Sequence, residues 1–198
     1  MSNFAKVAVL ISGGGTNLQA IIDRLAAGEL PHVELALVAS SRKNAGGLDR
    51  AERAGIKHVY IGKENFEQDL IKLLDEHEID IIVLAGFLKI FSSDFVSRYP
   101  DRIINVHPSL IPSFCGDGFY GLRVHEAALS YGVKVTGATV HFVNEVTDGG
   151  KIIAQRAVDI KDGDTPEILQ RRVMEEAEWK LLPAAVEKVA AEIVARRG

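Results

Sequence analysis

The sequence predicts an α/β fold built on a doubly wound, mostly parallel sheet, and three observations lead to this prediction. Short, β-branched apolar segments recur through the first half of the chain, and helical patterns lie between them. The second half carries two longer strand-like segments joined by a turn. Because strands that alternate with helices are joined by right-handed crossovers, we expect parallel strands first and an antiparallel C-terminal strand pair after them.

Five segments of the first half are predicted to be strands because they are short, rich in β-branched residues and bounded by glycine, proline or polar residues. Several are apolar on both faces, as the buried strands of a parallel sheet are. The segments are KVAVLIS (6–12), VELALVAS (33–40), HVYI (58–61), IDIIVLAG (79–86) and RIINVH (102–107).

Helices are predicted where apolar residues recur at the spacing i, i+3, i+4 and i+7. This spacing follows the first strand and precedes the fourth, in the residues Leu18, Ile21, Ile22 and Leu25 and the residues Phe66, Leu70, Leu73 and Leu74. A last helical region runs from about Thr165 to Arg197, and we expect Pro183 to interrupt it because proline removes a helix hydrogen bond.

The second half predicts two strands, KVTGATVHFV (134–143) and KIIAQRAVDI (151–160). The turn-rich segment NEVTDGG joins them, so we expect an antiparallel pair added to the sheet. A length of 198 residues suits one substantial core, and the sequence shows no repeat or linker. We therefore expect a single domain over residues 1–198.

The composition argues against several classes of function. The formal net charge is −4 and the basic residues are dispersed, which does not suit a nucleic-acid partner. Cys115 is the single cysteine, so a reducing compartment fits. The N-terminus does not resemble a signal peptide, and no apolar segment approaches the roughly 18 residues that span a bilayer. We expect a cytoplasmic protein without a membrane partner, either a monomer or a homodimer.

A glycine loop follows the first predicted strand and precedes a helix, in the segment LISGGGTNLQAII. Gly13, Gly14 and Gly15 allow the backbone to approach a ligand closely. Thr16 or Asn17 can cap the helix, whose free N–H groups and dipole favour an anion. We expect a phosphate site here; a glycine-rich turn without a ligand is the alternative.

The kind of phosphate compound is harder to predict. The loop is not a Walker A motif because the lysine is absent, and Leu18 replaces the third glycine of the dinucleotide fingerprint. The second strand ends without the acidic residue that would hold a ribose hydroxyl, but Arg42 could meet a 2′-phosphate. An NADP-dependent oxidoreductase therefore stays open as an alternative.

The strand RIINVH ends in two chemically useful side chains, Asn105 and His107. Residues two apart on a strand share a face, so Asn105 and His107 point the same way and Val106 points the other way. Pro108 ends the strand at the sheet edge where α/β folds bind ligands. An amide donor beside an imidazole can stabilise an oxyanion and move a proton, although a structural histidine is the alternative.

Asp148, in the turn NEVTDGG, is the candidate carboxylate. Its glycine neighbours would let it swing toward His107, where it would raise the pKa of the imidazole and favour the cation. The alternative is an ordinary Asp-Gly turn. His141 lies on the strand before this turn, but the spacing of these residues is not that of a known metal site, so no metal is expected.

Taken together, the motifs resemble the phosphoribosylglycinamide formyltransferase family. The resemblance runs nearly end to end and rests on LISGGGTNLQAII, VLAGFLKIFS, INVHPSLIPS, GVKVTGATVHFVNEVTDGG and EAEWKLLP, in that order. It implies a Rossmann-like formyltransferase fold. It also implies transfer of a formyl group from 10-formyltetrahydrofolate, used as a co-substrate, to the amine of glycinamide ribonucleotide in purine biosynthesis.

The resemblance also implies the roles of particular residues. Asn105, His107 and Asp148 match the family's catalytic residues, and His141 matches a supporting histidine. The residues implied to bind the ribonucleotide are Gly14, Gly15, Thr16, Asn17 and Glu178. Those implied to bind the folate are Leu88, Lys89, Ile90, Phe91 and Asn105.

Two related activities share the Asn, His and Asp constellation, methionyl-tRNA formyltransferase and formyltetrahydrofolate hydrolase. Each usually carries an additional domain, for which we expect no room in this chain. The sequence also departs from the family pattern. The loop SFCGDGFYGLRVHEAAL is longer than usual, so no contacts are assigned from Asp117 to Gly121; YIGKENFEQDL is shorter, and Lys151 stands where proline is frequent.

Overall fold

The computed structural model describes residues 2–198, which form seven strands and seven helices. The strands are β1 Ala5–Ile11, β2 Val33–Ser40, β3 His58–Tyr60, β4 Ile81–Leu84, β5 Ile103–His107, β6 Val135–Phe142 and β7 Ile152–Asp159. The helices are α1 Thr16–Ala26, α2 Gly46–Arg53, α3 Phe66–Glu76, α4 Ser93–Arg98, α5 Leu122–Tyr131, α6 Pro166–Val173 and α7 Trp179–Ala195.

The strands form one sheet in the order β3-β2-β1-β4-β5-β6-β7. The pairs among β1 to β5 are parallel, and β6 is antiparallel to β5 and to β7. The predicted mostly parallel sheet with an antiparallel C-terminal pair is therefore confirmed. β4 is shorter than predicted at both ends, and Gly86, with φ 70°, turns the chain two residues after the strand.

The sheet is covered by helices on both faces, and alternate residues of β1 pack against the helices of each face. Val7, Val9 and Ile11 pack in the apolar cluster that includes α1, α2 and α7. Ala8 and Leu10, which point the other way, pack in the cluster that includes α3 and α4. A strand buried on both sides needs this continuous apolar run, since alternate residues face opposite layers.

The last helical region is interrupted by a π-helical turn, Met174–Glu178, between α6 and α7. The prediction that Pro183 interrupts it was wrong, because Pro183 lies inside α7. A proline in a helix costs about 3 kcal/mol. Buried side chains offset this cost, because the apolar face of α7, with Leu182, Val186 and Val189, packs on the sheet.

The sheet reverses its winding between β1 and β4, the two strands from which the chain runs outward in opposite directions. The carboxyl ends of such neighbouring strands leave a crevice between their following loops, where open α/β sheets bind ligands. The glycine loop follows β1, the segment 86–91 follows β4, and the Asn-His pair ends β5.

In the described part of the chain, residues 2–198, no helix has the length and hydropathy to cross a membrane.

Candidate active site

A cavity of about 670 Å³ opens at this edge of the sheet. Its walls are the glycine loop, the segment after β4, the end of β5, the loop before α5, the turn between β6 and β7, and the π-helical turn. Every site residue predicted from the sequence lines it: Gly14, Gly15, Thr16, Asn17, Leu88, Lys89, Ile90, Phe91, Asn105, His107, His141, Asp148 and Glu178.

The glycine loop turns sharply at Gly15, whose φ is 71°. A Cβ at this position would lie 2.6 Å from the Cα of Gly47, so the turn needs glycine for both conformation and space. The expected side-chain cap was wrong: within residues 2–198 no side chain caps α1, and Gly15 itself is the N-cap residue. The first N–H groups of α1 are therefore left for a ligand, which suits an anion.

Asn17 does not cap α1 because its side-chain amide is hydrogen-bonded to Glu178 instead. Its Nδ2 donates to Oε2 of Glu178 over 2.6 Å, and both residues are buried. Asn17 Oδ1 is buried and has no hydrogen-bond partner in the described part of the protein. Burial raises the pKa of Glu178, and the Asn17 hydrogen bond offsets only part of that rise.

Glu178 reaches the cavity because it ends the π-helical turn. Such turns add a residue to a helix and occur frequently at functional sites. The helical periodicity of the sequence gives no signal for this extra residue, so Glu178 was assigned through the family resemblance alone.

Asn105 and His107 share one face of β5, as predicted, and Asp148 approaches both. His107 Nδ1 lies 3.4 Å from Asp148 Oδ2, and Asn105 Nδ2 lies 3.4 Å from Asp148 Oδ1. His141, the register partner of Asn105 on β6, completes the cluster, with Nε2 3.1 Å from Asn105 Nδ2. The pairing of β5 with β6 therefore brings together residues that are far apart in the sequence.

Hydrogen bonding fixes the proton of His141. Its Nδ1 lies 2.8 Å from the carbonyl of Phe142, which can only accept, so Nδ1 carries the hydrogen. In the neutral ring Nε2 is then an acceptor, and it receives one N–H of Asn105. His141 thus orients the Asn105 amide, which agrees with a supporting position.

The electrostatics of the cluster differ from the prediction for His107. Burial lowers the pKa of His107, and the attraction of Asp148, which raises it, offsets only part of that effect. Asp148 thus raises the pKa of His107 as expected, but the expectation that the cation is favoured was wrong, because the sequence does not reveal how deeply the ring is buried. Burial also raises the pKa of Asp148, but the hydrogen bond that His141 donates when it is protonated, the Gly116 N–H and the positive charge of the two histidines in their protonated forms hold it below its ordinary value.

The other side of the cavity is apolar. Leu88 and Ile90 are 49% and 77% exposed at its mouth. Phe91 stacks on the neighbouring Phe87 and Phe95 rings, with centroids 5.4 and 4.1 Å away. Large exposed apolar side chains beside stacked aromatic rings suit a flat, partly apolar ligand.

Two groups of the cavity were missed by sequence reasoning. His125 on α5 is fully buried, and neither ring nitrogen has a hydrogen-bond partner in the described residues. Burial lowers its pKa to about 4, and the charge of His107 acts in the same direction. The main chain of residues 113–121 also contacts His107 and Asp148, which no side-chain pattern can reveal.

Residues 5–186 match the protein family described as formyl transferase. The chain belongs to the formyl transferase family. The match covers most of its 198 residues, and it confirms the resemblance that the sequence motifs predicted.

Curated relatives of this formyl transferase family member come from several branches of life. The trifunctional purine biosynthetic protein adenosine-3 of Homo sapiens is 45% identical over 192 residues, 94% of this chain. The chain spans only 18% of that relative's length. The phosphoribosylglycinamide formyltransferase of Haemophilus influenzae is 39% identical over 187 residues, which cover 91% of this chain and 85% of that protein.

Solved structures of the family agree with the fold. The glycinamide ribonucleotide transformylase 1 of Symbiobacterium toebii has a TM-score of 0.88 at 39% identity, covering 96% of this chain and 89% of that one. A formyltetrahydrofolate deformylase from Pseudomonas syringae has a TM-score of 0.86 at 26% identity, covering 96% and 63%. The fold is therefore shared by transferases and a deformylase, so the fold alone does not identify the molecule that accepts the formyl group.

Proposed function

We propose that this protein transfers the formyl group of 10-formyltetrahydrofolate to the amine of glycinamide ribonucleotide, giving formylglycinamide ribonucleotide and tetrahydrofolate in purine biosynthesis. One observation carries the proposal: an Asn105, His107 and Asp148 cluster faces the same cavity as the uncapped N-terminus of α1. The names of relatives such as the Haemophilus influenzae enzyme support it.

The ribonucleotide end of the cavity suits a phosphorylated acceptor. The uncapped N-terminus of α1 would hold the phosphate through backbone N–H groups of Gly15, Thr16 and Asn17. Asn17 Oδ1 and Glu178 would accept hydrogen bonds from the rest of the acceptor. A deformylase, whose acceptor is water, would have no use for these groups.

The folate would occupy the apolar side. Leu88, Lys89, Ile90 and Phe91 would line its ring system, with main-chain groups of this segment as hydrogen-bond partners. The segment is held in place because the N–H of Leu88 donates to Ser12 Oγ over 3.0 Å. The cluster on β5 then lies between the two substrates.

The chemistry follows from the protonation states. The acceptor amine attacks the formyl carbon, and the carbonyl oxygen becomes an oxyanion beside the N–H group of Asn105. His107, whose pKa is lowered by burial, starts as a neutral ring and takes a proton from the attacking amine. The resulting imidazolium is stabilised by the Asp148 carboxylate and gives the proton to the leaving folate nitrogen. One N–H is lost from the amine and one is gained by the folate.

The deciding measurement follows tetrahydrofolate formation from 10-formyltetrahydrofolate with and without glycinamide ribonucleotide. We expect release that depends on the ribonucleotide. Release at the same rate without it would identify a hydrolase instead, and no release in either case would reject formyl transfer to this acceptor.

A matched pair of variants tests the carboxylate. Asp148→Asn should lower the turnover by at least about 100-fold, because the imidazolium loses its counter-charge. Asp162 also precedes a glycine in an exposed turn, and Asp162→Asn should retain normal turnover. Equal activity of the two variants would remove Asp148 from the mechanism and favour a binding protein or another class of enzyme.

We also propose that residues 1–198 form a single formyltransferase domain, which the continuous seven-stranded sheet of residues 2–198 supports. A cytoplasmic location remains part of the proposal, because a single cysteine suits a reducing compartment. The protein would act on small molecules as a monomer or a homodimer, and size-exclusion chromatography with light scattering distinguishes the two.

A further inference from the structure

The loop 113–121 reaches the His107 and Asp148 pair through its main chain. The carbonyl of Phe114 lies 2.9 Å from His107 Nε2, and the N–H of Gly116 donates to Asp148 Oδ2 over 2.9 Å. We propose that this loop positions the catalytic pair and selects Nδ1 of His107 as the nitrogen that takes up and releases the proton. The inference rests on the proposed function and assigns the loop 113–121 a positioning role in the same reaction.

The proton argument starts from the carbonyl of Phe114. A carbonyl oxygen can only accept, so His107 Nε2 must carry a hydrogen in both the neutral and the charged ring. In the neutral ring Nδ1 is then bare, and it lies 3.4 Å from Asp148 Oδ2. The proton that leaves the acceptor amine therefore binds Nδ1, next to the carboxylate, and departs from Nδ1 to the folate nitrogen. The hydrogen on Nε2 stays in place throughout.

The backbone conformation of both partners is unusual. Phe114 and Asp148 are in the left-handed region, with φ values of 49° and 55°. A bulky residue rarely adopts this conformation, and such strain persists only where the surroundings impose it. The ring of Phe114 packs beside those of Tyr131 and Phe119, with centroids 5.9 and 6.5 Å away. The loop thus maintains a strained carbonyl that points at the histidine.

Several charged or titratable groups face this pair. Asp148 is faced by His107 from β5, by His141 from β6 and by the thiol of Cys115 from the loop itself. His107 is also faced by His141 and by His125 from α5. Of the contacts to Asp148 described above, the Gly116 N–H is the one that can be moved without altering a titratable side chain or the Asn105 amide.

The first test measures the tautomer of His107 by ¹⁵N NMR of the ligand-free protein at about pH 8, where an ordinary histidine is neutral. The signals are assigned by their loss in His107→Gln. We expect an N–H type shift for Nε2 and a bare-nitrogen shift for Nδ1. The opposite tautomer, or an averaged mixture of the two, would overturn the proposal.

The second test compares Gly116 with Gly163, a glycine of an exposed turn outside the cavity. Gly116 and Gly163 have φ values of 88° and 82°, and a Cβ at either position would meet no atom within 4 Å. Alanine therefore perturbs the backbone in both cases without a clash, but only the Gly116 N–H bonds to Asp148 in the described residues. Gly116→Ala should lower kcat by about tenfold or more, the value of one charge-assisted hydrogen bond, with KM for both substrates nearly unchanged.

A readout besides activity separates positioning from a general loss of structure. The Gly116 N–H favours the carboxylate form of Asp148, so displacing it should raise the pKa of Asp148 in Gly116→Ala but not in Gly163→Ala. The pKa is measured by ¹³C NMR of the Asp148 carboxyl group. Equal kcat and equal Asp148 titration in the two variants would refute the positioning role. Should Gly116→Ala fail to fold, the tautomer of the unaltered protein decides.

Failure of the proposed function gives a different result. Absence of ribonucleotide-dependent formyl transfer by the unaltered protein would reject the function, and with it the role of Nδ1. The tautomer and the Asp148 titration would still be determined by the loop in that case, since both are measured without substrate.

Discussion

Asn105 has its amide hydrogens directed at protein groups. One N–H meets His141 Nε2 at 3.1 Å, and the other is aimed at Asp148 Oδ1 over a long 3.4 Å. The longer contact is the weaker one and can be exchanged for a developing oxyanion at little cost. The same residue can therefore hold the site together before the reaction and stabilise charge during it.

Replacement of the Asn105 amide should lower kcat more than it changes KM. We expect Asn105→Ala to lower kcat by about 100-fold or more, because a donor to the oxyanion is lost in a buried site. Steady-state kinetics with both substrates measure the effect, and the exposed Asn3→Ala variant is the control. Near-normal turnover of Asn105→Ala would exclude the amide as an oxyanion donor.

At the scale of elements, the glycine loop depends on its contact with α2. Gly15→Ala would force a left-handed φ on alanine and bring its Cβ 2.6 Å from Gly47 Cα. The loop then has to move, which displaces the N–H groups of α1 from the phosphate. We expect KM for the ribonucleotide to rise about tenfold or more, as for loss of a hydrogen bond to a charged group.

Gly28→Ala provides the control for this experiment. Gly28 has a φ of 72°, nearly that of Gly15, but a Cβ there would meet no atom within 4 Å. It should lose only about 1 kcal/mol of stability from the left-handed conformation, with KM unchanged. If both variants raised KM equally, strain alone would explain the result and the contact with Gly47 would be irrelevant.

The elements also show which features a sequence can predict. The parallel strands were predictable because short apolar runs are typical of strands buried on both faces. The shared face of Asn105 and His107 was predictable because successive residues of a strand point to opposite faces. The π-helical turn was not, since one added residue in an amphipathic helix leaves no periodic signal. The contacts of Phe114 and Gly116 were equally hidden, because main-chain groups are the same in every residue type.

At the scale of the whole molecule, the cavity collects buried titratable groups from separate elements. His107 ends β5, His125 lies on α5 and Glu178 ends the π-helical turn, and each is at most 7% exposed. Burial without full pairing is costly for such groups. The fold therefore gives up part of its stability to build this site, and the cost depends on pH.

His125 determines most clearly the direction in which the stability of the fold changes with pH. Its pKa is about 4 in the folded protein and 6.5 ordinarily, so between these values the unfolded chain binds a proton that the folded chain does not. Stability consequently falls as the pH decreases from 6.5 toward 4, by at most about 1.4 kcal/mol per pH unit for this group. The lowered pKa of His107 acts in the same direction, whereas the raised pKa of Glu178 makes stability fall as the pH rises above 4.5.

Urea unfolding of the His125→Leu variant isolates this contribution. Between about pH 6.5 and pH 5 the unaltered protein should lose about 1 to 2 kcal/mol more stability than the variant, since leucine binds no proton in either state. His58→Gln, at an exposed histidine, should follow the unaltered protein. Parallel curves for the unaltered protein and His125→Leu would show that the buried ring is charged or solvated in the folded state. A weaker dependence of stability on pH in His125→Leu than in the unaltered protein would establish that the His125 ring is held neutral in the folded state. A charge on His125 would oppose protonation of the neighbouring His107.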